Sequence, residues 1–140
     1  MSNVTINGVT PIVMHEYYTP QMCKDNPSLL FVYGDNLLRR GKAGQACIRD
    51  EPNTFGIATK VWPSTTRGSY FSDSNEAHSF HMVNDIHKLH ALLRSPDHTY
   101  THVVFPAAGL GTGLSQLPSR APRTYEMLKH ELLTMFGVEL

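Results

Sequence analysis

Asp35, Asn36 and Lys42 share one glycine-rich stretch, Gly34-Asp35-Asn36-Leu37-Leu38-Arg39-Arg40-Gly41-Lys42-Ala43-Gly44-Gln45-Ala46. An acid, an amide and a cation held on one loop can bond sugar hydroxyls, orient a water and steady charge developing on a reacting oxygen. These three are the candidate catalytic residues. Each also has a plainer use. Gly-Asp-Asn closes turns through side chain to backbone bonds, and lysines are common on surfaces. A second stretch, Gly109-Leu110-Gly111-Thr112-Gly113, follows Val103-Val104-Phe105-Pro106-Ala107-Ala108. Glycines at alternate positions let backbone N–H groups point into one concavity, and a following helix N-terminus adds partial positive charge. Thr112 offers a hydroxyl either to a phosphate or to its own loop. Two such loops in one chain point to a phosphate or diphosphate cradle and a ligand of nucleotide type. Gly34, Asn36, Gly109, Leu110, Gly111, Thr112 and Gly113 are its candidate binding residues.

Thr59 and Lys60 join this set because they end a third apolar run, Thr54 to Lys60. A charged residue closing a buried strand needs solvent or an anionic partner. Arg39, Arg40, Lys42 and Arg49 gather around the first loop, and Arg120 and Arg123 follow the second. They are either solvated or face an anion. The 140-residue chain nonetheless carries no net charge, so its balance does not indicate nucleic acid as a partner, and no apolar run is long enough for a membrane.

Cys23 and Cys47 have neither metal-ligand spacing nor the density of a disulfide framework, which fits a reducing compartment. Met1 to Thr5 lack a basic segment leading into an apolar stretch, so a cytoplasmic protein without a leader is expected. His78 and His81, like His87 and His90, are spaced i, i+3 on a helix. No Cys, Asp or Glu repeats around them in a metal pattern, so neither a metal nor another cofactor is expected. A nucleophile elbow and a Walker A motif are absent, and the glycines do not match a dinucleotide fingerprint.

The elements that must position these residues alternate. Strands are expected at Pro11–Glu16, Leu29–Tyr33, Thr54–Lys60 and Tyr100–Ala107, with a further one at Val138–Leu140. A short helix is expected at Ala43–Arg49. A long helix begins at a capping box of Asp73 and Glu76, with Ala77, Phe80, Val83, Ile86, His90 and Leu93 on its apolar stripe. Ser119–Phe136 reads as a second long helix with Pro122 in its first turn and Gly137 closing it. This alternation predicts one domain over 1–140, an α/β three-layer sandwich on a mixed, mostly parallel sheet. Both loops then lie at the carboxyl edge and line one cleft. Replacing Gly111 by a bulkier residue is expected to remove the ligand and spare the fold.

Phe105-Pro106-Ala107 with Gly109-Leu110-Gly111-Thr112-Gly113 resembles the second ligand loop of macrodomains, the ADP-ribose-binding α/β modules. Phe31 to Asn36 with Gly41 to Ala46 resembles their first loop, and Thr59-Lys60 is similar to a strand end of small bacterial and bacteriophage members. The resemblance implies a macrodomain-like fold and a partner that is an ADP-ribose-type nucleotide or an ADP-ribosylated substrate. It implies that Asn36 contacts the distal ribose, that Gly44, Gln45 and Ala46 offer backbone N–H groups, and that Gly109 to Gly113 enclose the diphosphate. A Gly-Asp-Ile-Thr-like element, which supplies the adenine-reading aspartate in many macrodomains, is absent, so the base is left open. Lys42 stands one place earlier than the lysine of hydrolytic members. Three readings follow. One is hydrolysis of a bond at the distal ribose, and another is sequestration of a nucleotide signal, as in bacteriophage counter-defence. The third is a surface whose loops meet a protein partner.

Overall fold

A computed structural model describes residues 4–140. Met1 to Asn3, part of the segment read for a leader, lie outside the described residues. Four strands form one sheet: β1 Thr10–Met14, β2 Leu29–Asn36, β3 Thr54–Lys60 and β4 His102–Pro106, in the order β1-β4-β2-β3. Every pairing in it is parallel, which corrects the expectation of a mixed sheet. Parallel neighbours need crossovers. These are α1 (Pro20–Asp25), the 37–53 segment with its 3-10 turn Gly44–Ile48, and α2 (Glu76–Arg94).

Strand alternation sorts the core. Leu30, Val32, Val103 and Phe105 pack with Ile57 against α2 and the C-terminal helix, while Phe31, Tyr33 and Val104 pack on the other face against Tyr18, Cys23 and Ile48. A sheet covered on both faces needs apolar residues at consecutive positions, and β2 supplies them. The result is a three-layer α/β arrangement.

The helices depart from expectation for identifiable reasons. Asn75, not Asp73, caps α2, its Oδ1 accepting from the Ala77 N–H at 3.0 Å. The buried face of α2 carries Met82, Asp85, Ile86, Leu89 and Leu93, and Phe80 is exposed. The expected stripe shares only Ile86 and Leu93 with it, because a buried carboxylate, Asp85, sits in its middle. The C-terminal helix divides into α3 (Leu117–Arg120) and α4 (Pro122–Phe136). Ala121 leaves the helical region at φ −146°, as a residue before proline tends to do. Gly137 closes α4 in the left-handed region, and the Gly137 and Val138 N–H groups bond back to Leu133 and Leu132. That wrap drives Val138 into the core, and the expected last strand does not form.

Asp73 caps α4 from across the fold. It accepts from the N–H groups of Arg123 (2.9 Å) and Thr124 (2.8 Å) and from the Thr124 hydroxyl (2.8 Å). Burial alone would raise its pKa, and these bonds outweigh that and hold it below the usual aspartate range. Asp73→Ala is expected to lower stability by about 1 kcal/mol, read as a shifted denaturation midpoint at unchanged slope. A depressed pKa contributes stability above the unfolded value and loses it as pH falls through the folded one. The difference between wild type and variant should therefore shrink in acid, and a constant difference would contradict the assignment.

Candidate functional site

β2 and β4 pair only where Leu29–Phe31 meets His102–Val104. Beyond that they part. The chain after β2 leads to the 3-10 turn, whose Ala46 and Ile48 pack on one face of the sheet, and the chain after β4 leads to Leu110 and Leu117, which pack on the other face with α4. Neighbouring strands whose continuations leave to opposite faces open a crevice at their carboxyl ends. Two side chains brace it. The Tyr18 hydroxyl lies 2.8 Å from the Val32 carbonyl oxygen and 3.3 Å from that of Val104. Burial, with Cys23 nearby, pushes this phenol far above its ordinary pKa, so it remains a neutral donor. The Gln45 amide accepts from the Gly34 N–H at 2.9 Å and donates to the Gly109 carbonyl at 2.9 Å. One side chain thus ties the two glycine loops together.

The loops face a single cleft with two compartments. One, about 340 Å³, is mostly apolar and lies among Tyr17, Tyr18, Gly44, Gln45, Ala108 and Gly111. The other, about 400 Å³, is also mostly apolar in its lining but gathers the polar side chains of Asn36, Arg40, Lys60, Ser64, Tyr70 and Gln116. Gly34, Ala43, Gly113, Leu114 and Ser115 border both. At this junction the carbonyls of Gly111 and Gly113 accept from Leu117 (2.8 Å) and Gln116 (3.1 Å). The N–H groups of Gly111 to Ser115 donate to no protein acceptor among the described residues. Unused N–H groups in a run beside a cleft are the donors that a backbone anion site requires.

Gly111 and Gly113 play different parts. Gly111 has φ +75°, and a Cβ there would meet the Leu117 side chain at 3.0 Å and Thr59 Cβ at 3.1 Å. Substitution at Gly111 strains the loop itself, which overturns the expectation that it would spare the fold. A Cβ on Gly113 meets nothing within 4 Å and would stand in the open cleft.

Gly34, Asp35 and Asn36 prove to be the end of β2, with a register shift against β3 between Asp35 and Asn36. Asp35 is buried, and Arg49 donates to its Oδ1 at 2.6 Å while Arg39 reaches its Oδ2 at 3.3 Å. Arg39 also grips both oxygens of Asp85 at 2.8 Å, and Asp85 accepts the Ala58 N–H at 2.8 Å. Glycine at 56 is required beneath this network, because a Cβ would overlap the Asp35 carboxylate. Arg49 further holds the carbonyls of Gly41 (2.8 Å) and Arg40 (3.0 Å). Asp35 therefore shapes the first loop through its arginines. The Asn36 amide donates to the Arg40 carbonyl at 2.7 Å. Lys42 is exposed, pairs with Asp50 and borders neither compartment.

Of the remaining candidates, Gly34, Gly44, Gln45, Ala46, Lys60, Gly111 and Gly113 border the cleft. Leu110 is buried in the core, and Thr59 is buried with its hydroxyl 2.7 Å from that of Ser115. Gly109 is held by Gln45, and the Thr112 hydroxyl donates to the Ala108 carbonyl at 2.6 Å. Sequence reasoning missed Tyr18, Asp85 and Ser115. Ser115 was within reach, two places beyond Gly113, but Tyr18 and Asp85 act through distant partners. The helical histidines have protein neighbours: His78 accepts the Ser72 N–H, His87 meets Glu131 and His90 packs on Phe136.

Among the described residues no helix is long and apolar enough to cross a membrane. A family model described as a family of unknown function (DUF7831) matches residues 13–131. No curated protein and no solved structure matches the chain.

Proposed function

We propose that this chain, which belongs to the family of unknown function DUF7831, is a macrodomain-like module that binds ADP-ribose or a related nucleotide derivative. The observation that carries the reading is the run of unused N–H groups, Gly111 to Ser115, at the junction of two compartments. A diphosphate over that run accepts charge-assisted bonds from several donors at once. Its two sugars then fall on either side. The base enters the first compartment against Tyr17 and Tyr18, and the distal ribose meets Asn36 in the second.

Binding is favoured over hydrolysis. The Asp35 carboxylate is committed to Arg39 and Arg49, and Lys42 borders neither compartment, so neither is placed to act on a ribose. Calorimetric titration with ADP-ribose tests the reading, with chromatography of the recovered ligand. Saturable binding at one site and unaltered ligand are expected. Absence of binding to ADP-ribose, ADP and NAD alike would overturn it, and release of products would restore the hydrolytic reading.

A further inference from the structure

α2 and α4 pack side by side on one face of the sheet. A groove of about 420 Å³ runs between them, bordered by Val83 of α2 and by Arg123, Glu126, Met127, His130 and Glu131 of α4. It shares Glu126 and His130 with a second hollow of about 360 Å³ that reaches Leu133 and Leu140. Met127 is 43% exposed, Leu133 47%, and Phe80, three residues before Val83 on the same side of α2, 65%. Apolar side chains scattered singly on a surface need no partner, but these lie along one continuous band. None of the band's residues borders either compartment of the cleft.

The charges on the band are set symmetrically. Arg123, Met127 and Glu131 are spaced i, i+4, i+8 and share one side of α4. At a rise of about 1.5 Å per residue, the cation and the carboxylate stand about 6 Å to either side of Met127 along the helix. The Arg123 side chain forms no ion pair among the described residues, and the Asp73 carboxylate near it is engaged by the Arg123 and Thr124 N–H groups and the Thr124 hydroxyl. Glu131 is met by His87, whose Nε2 lies 2.7 Å from Oε1, and its Oε2 remains an acceptor.

We propose that this face docks a second copy of the chain in a twofold dimer whose axis passes at Met127. A contact of this kind requires a patch that complements itself. A cation and a carboxylate spaced equally about an exposed apolar residue meet that requirement. With the two α4 helices antiparallel, Arg123 of each copy opposes Glu131 of the other, and Met127 meets Met127. The apolar band supplies the buried area, and the two ion pairs fix the orientation. The proposal is independent of the nucleotide reading, since the dimer leaves the residues of the cleft uncovered.

Sedimentation equilibrium of the whole chain, from micromolar to millimolar concentration, tests this. Wild type is expected to pass from monomer to dimer and to stop there. Arg123→Glu and Glu131→Arg should each weaken self-association at least tenfold, because each sets like charges against one another. An equimolar mixture of those two variants should dimerise again, since every glutamate at these positions then meets an arginine. Met127→Glu leaves both charges and the His87 contact in place, and it should also weaken the dimer at least tenfold with the Tm unchanged. A wild type that stays monomeric throughout would overturn the proposal and leave the groove to a different protein. A dimer indifferent to Met127→Glu, a mixture of charge variants that stays monomeric, or association that continues beyond the dimer would overturn it as well.

Discussion

Gly113→Val is expected to weaken ADP-ribose binding by about a hundredfold or more with little change in thermal stability. The valine methyls would occupy the space above the free N–H groups where a diphosphate must come close. Loss of two charge-assisted bonds, each worth about 1.5 kcal/mol or more, corresponds to that factor. The fold should survive because a Cβ at Gly113 touches nothing within 4 Å. Gly111→Val is the contrasting case, since Leu117 and Thr59 block its Cβ and its backbone is left-handed, so it should lose stability itself. Calorimetry and thermal unfolding on the two variants separate a filled cleft from a broken loop. Undiminished affinity in Gly113→Val would contradict the placement of the diphosphate.

Asp35→Ala is expected to destabilise the protein by about 3–5 kcal/mol, the range for removing one partner of a buried ion pair. Its Tm should fall by on the order of 10 °C. Arg49 bears most of that loss, as its side chain is 13% exposed, whereas Arg39 is 43% exposed and keeps Asp85. Arg39 itself holds a left-handed backbone at φ +56°, a conformation that costs about 1–2 kcal/mol and needs its ion pairs to persist. Released arginines would also free the Arg40 and Gly41 carbonyls that shape the first loop. A catalytic Asp35 gives the opposite pattern, with stability kept and turnover lost. Urea denaturation of the variant beside wild type decides between them, and an unchanged midpoint would contradict the structural role.

The strands were legible because each is a short apolar run closed by glycine, proline or a charged residue. β2, with six residues buried on its two faces, is the clearest case. The carboxyl-edge position of both loops followed from the alternation of elements alone. Charge pairing was not legible. Asp85 lies off the apolar stripe expected for α2, and its partner, Arg39, is 46 positions away in sequence. Asp73 looked like a local cap because it precedes a helix, while the N–H groups it satisfies belong to α4. Gly111 looked like a space reserved for ligand, but the space is taken by Leu117 and Thr59. In each case the missing information was a long-range neighbour, which no periodicity encodes.

A crystal structure of the chain grown with ADP-ribose tests the central claim most directly. The diphosphate oxygens should lie within about 3 Å of the backbone nitrogens between Gly111 and Ser115. The base should sit on the Tyr18 side and the distal ribose on the Asn36 side. Ligand bound elsewhere on the molecule, or a cleft left empty at saturating nucleotide, would contradict it.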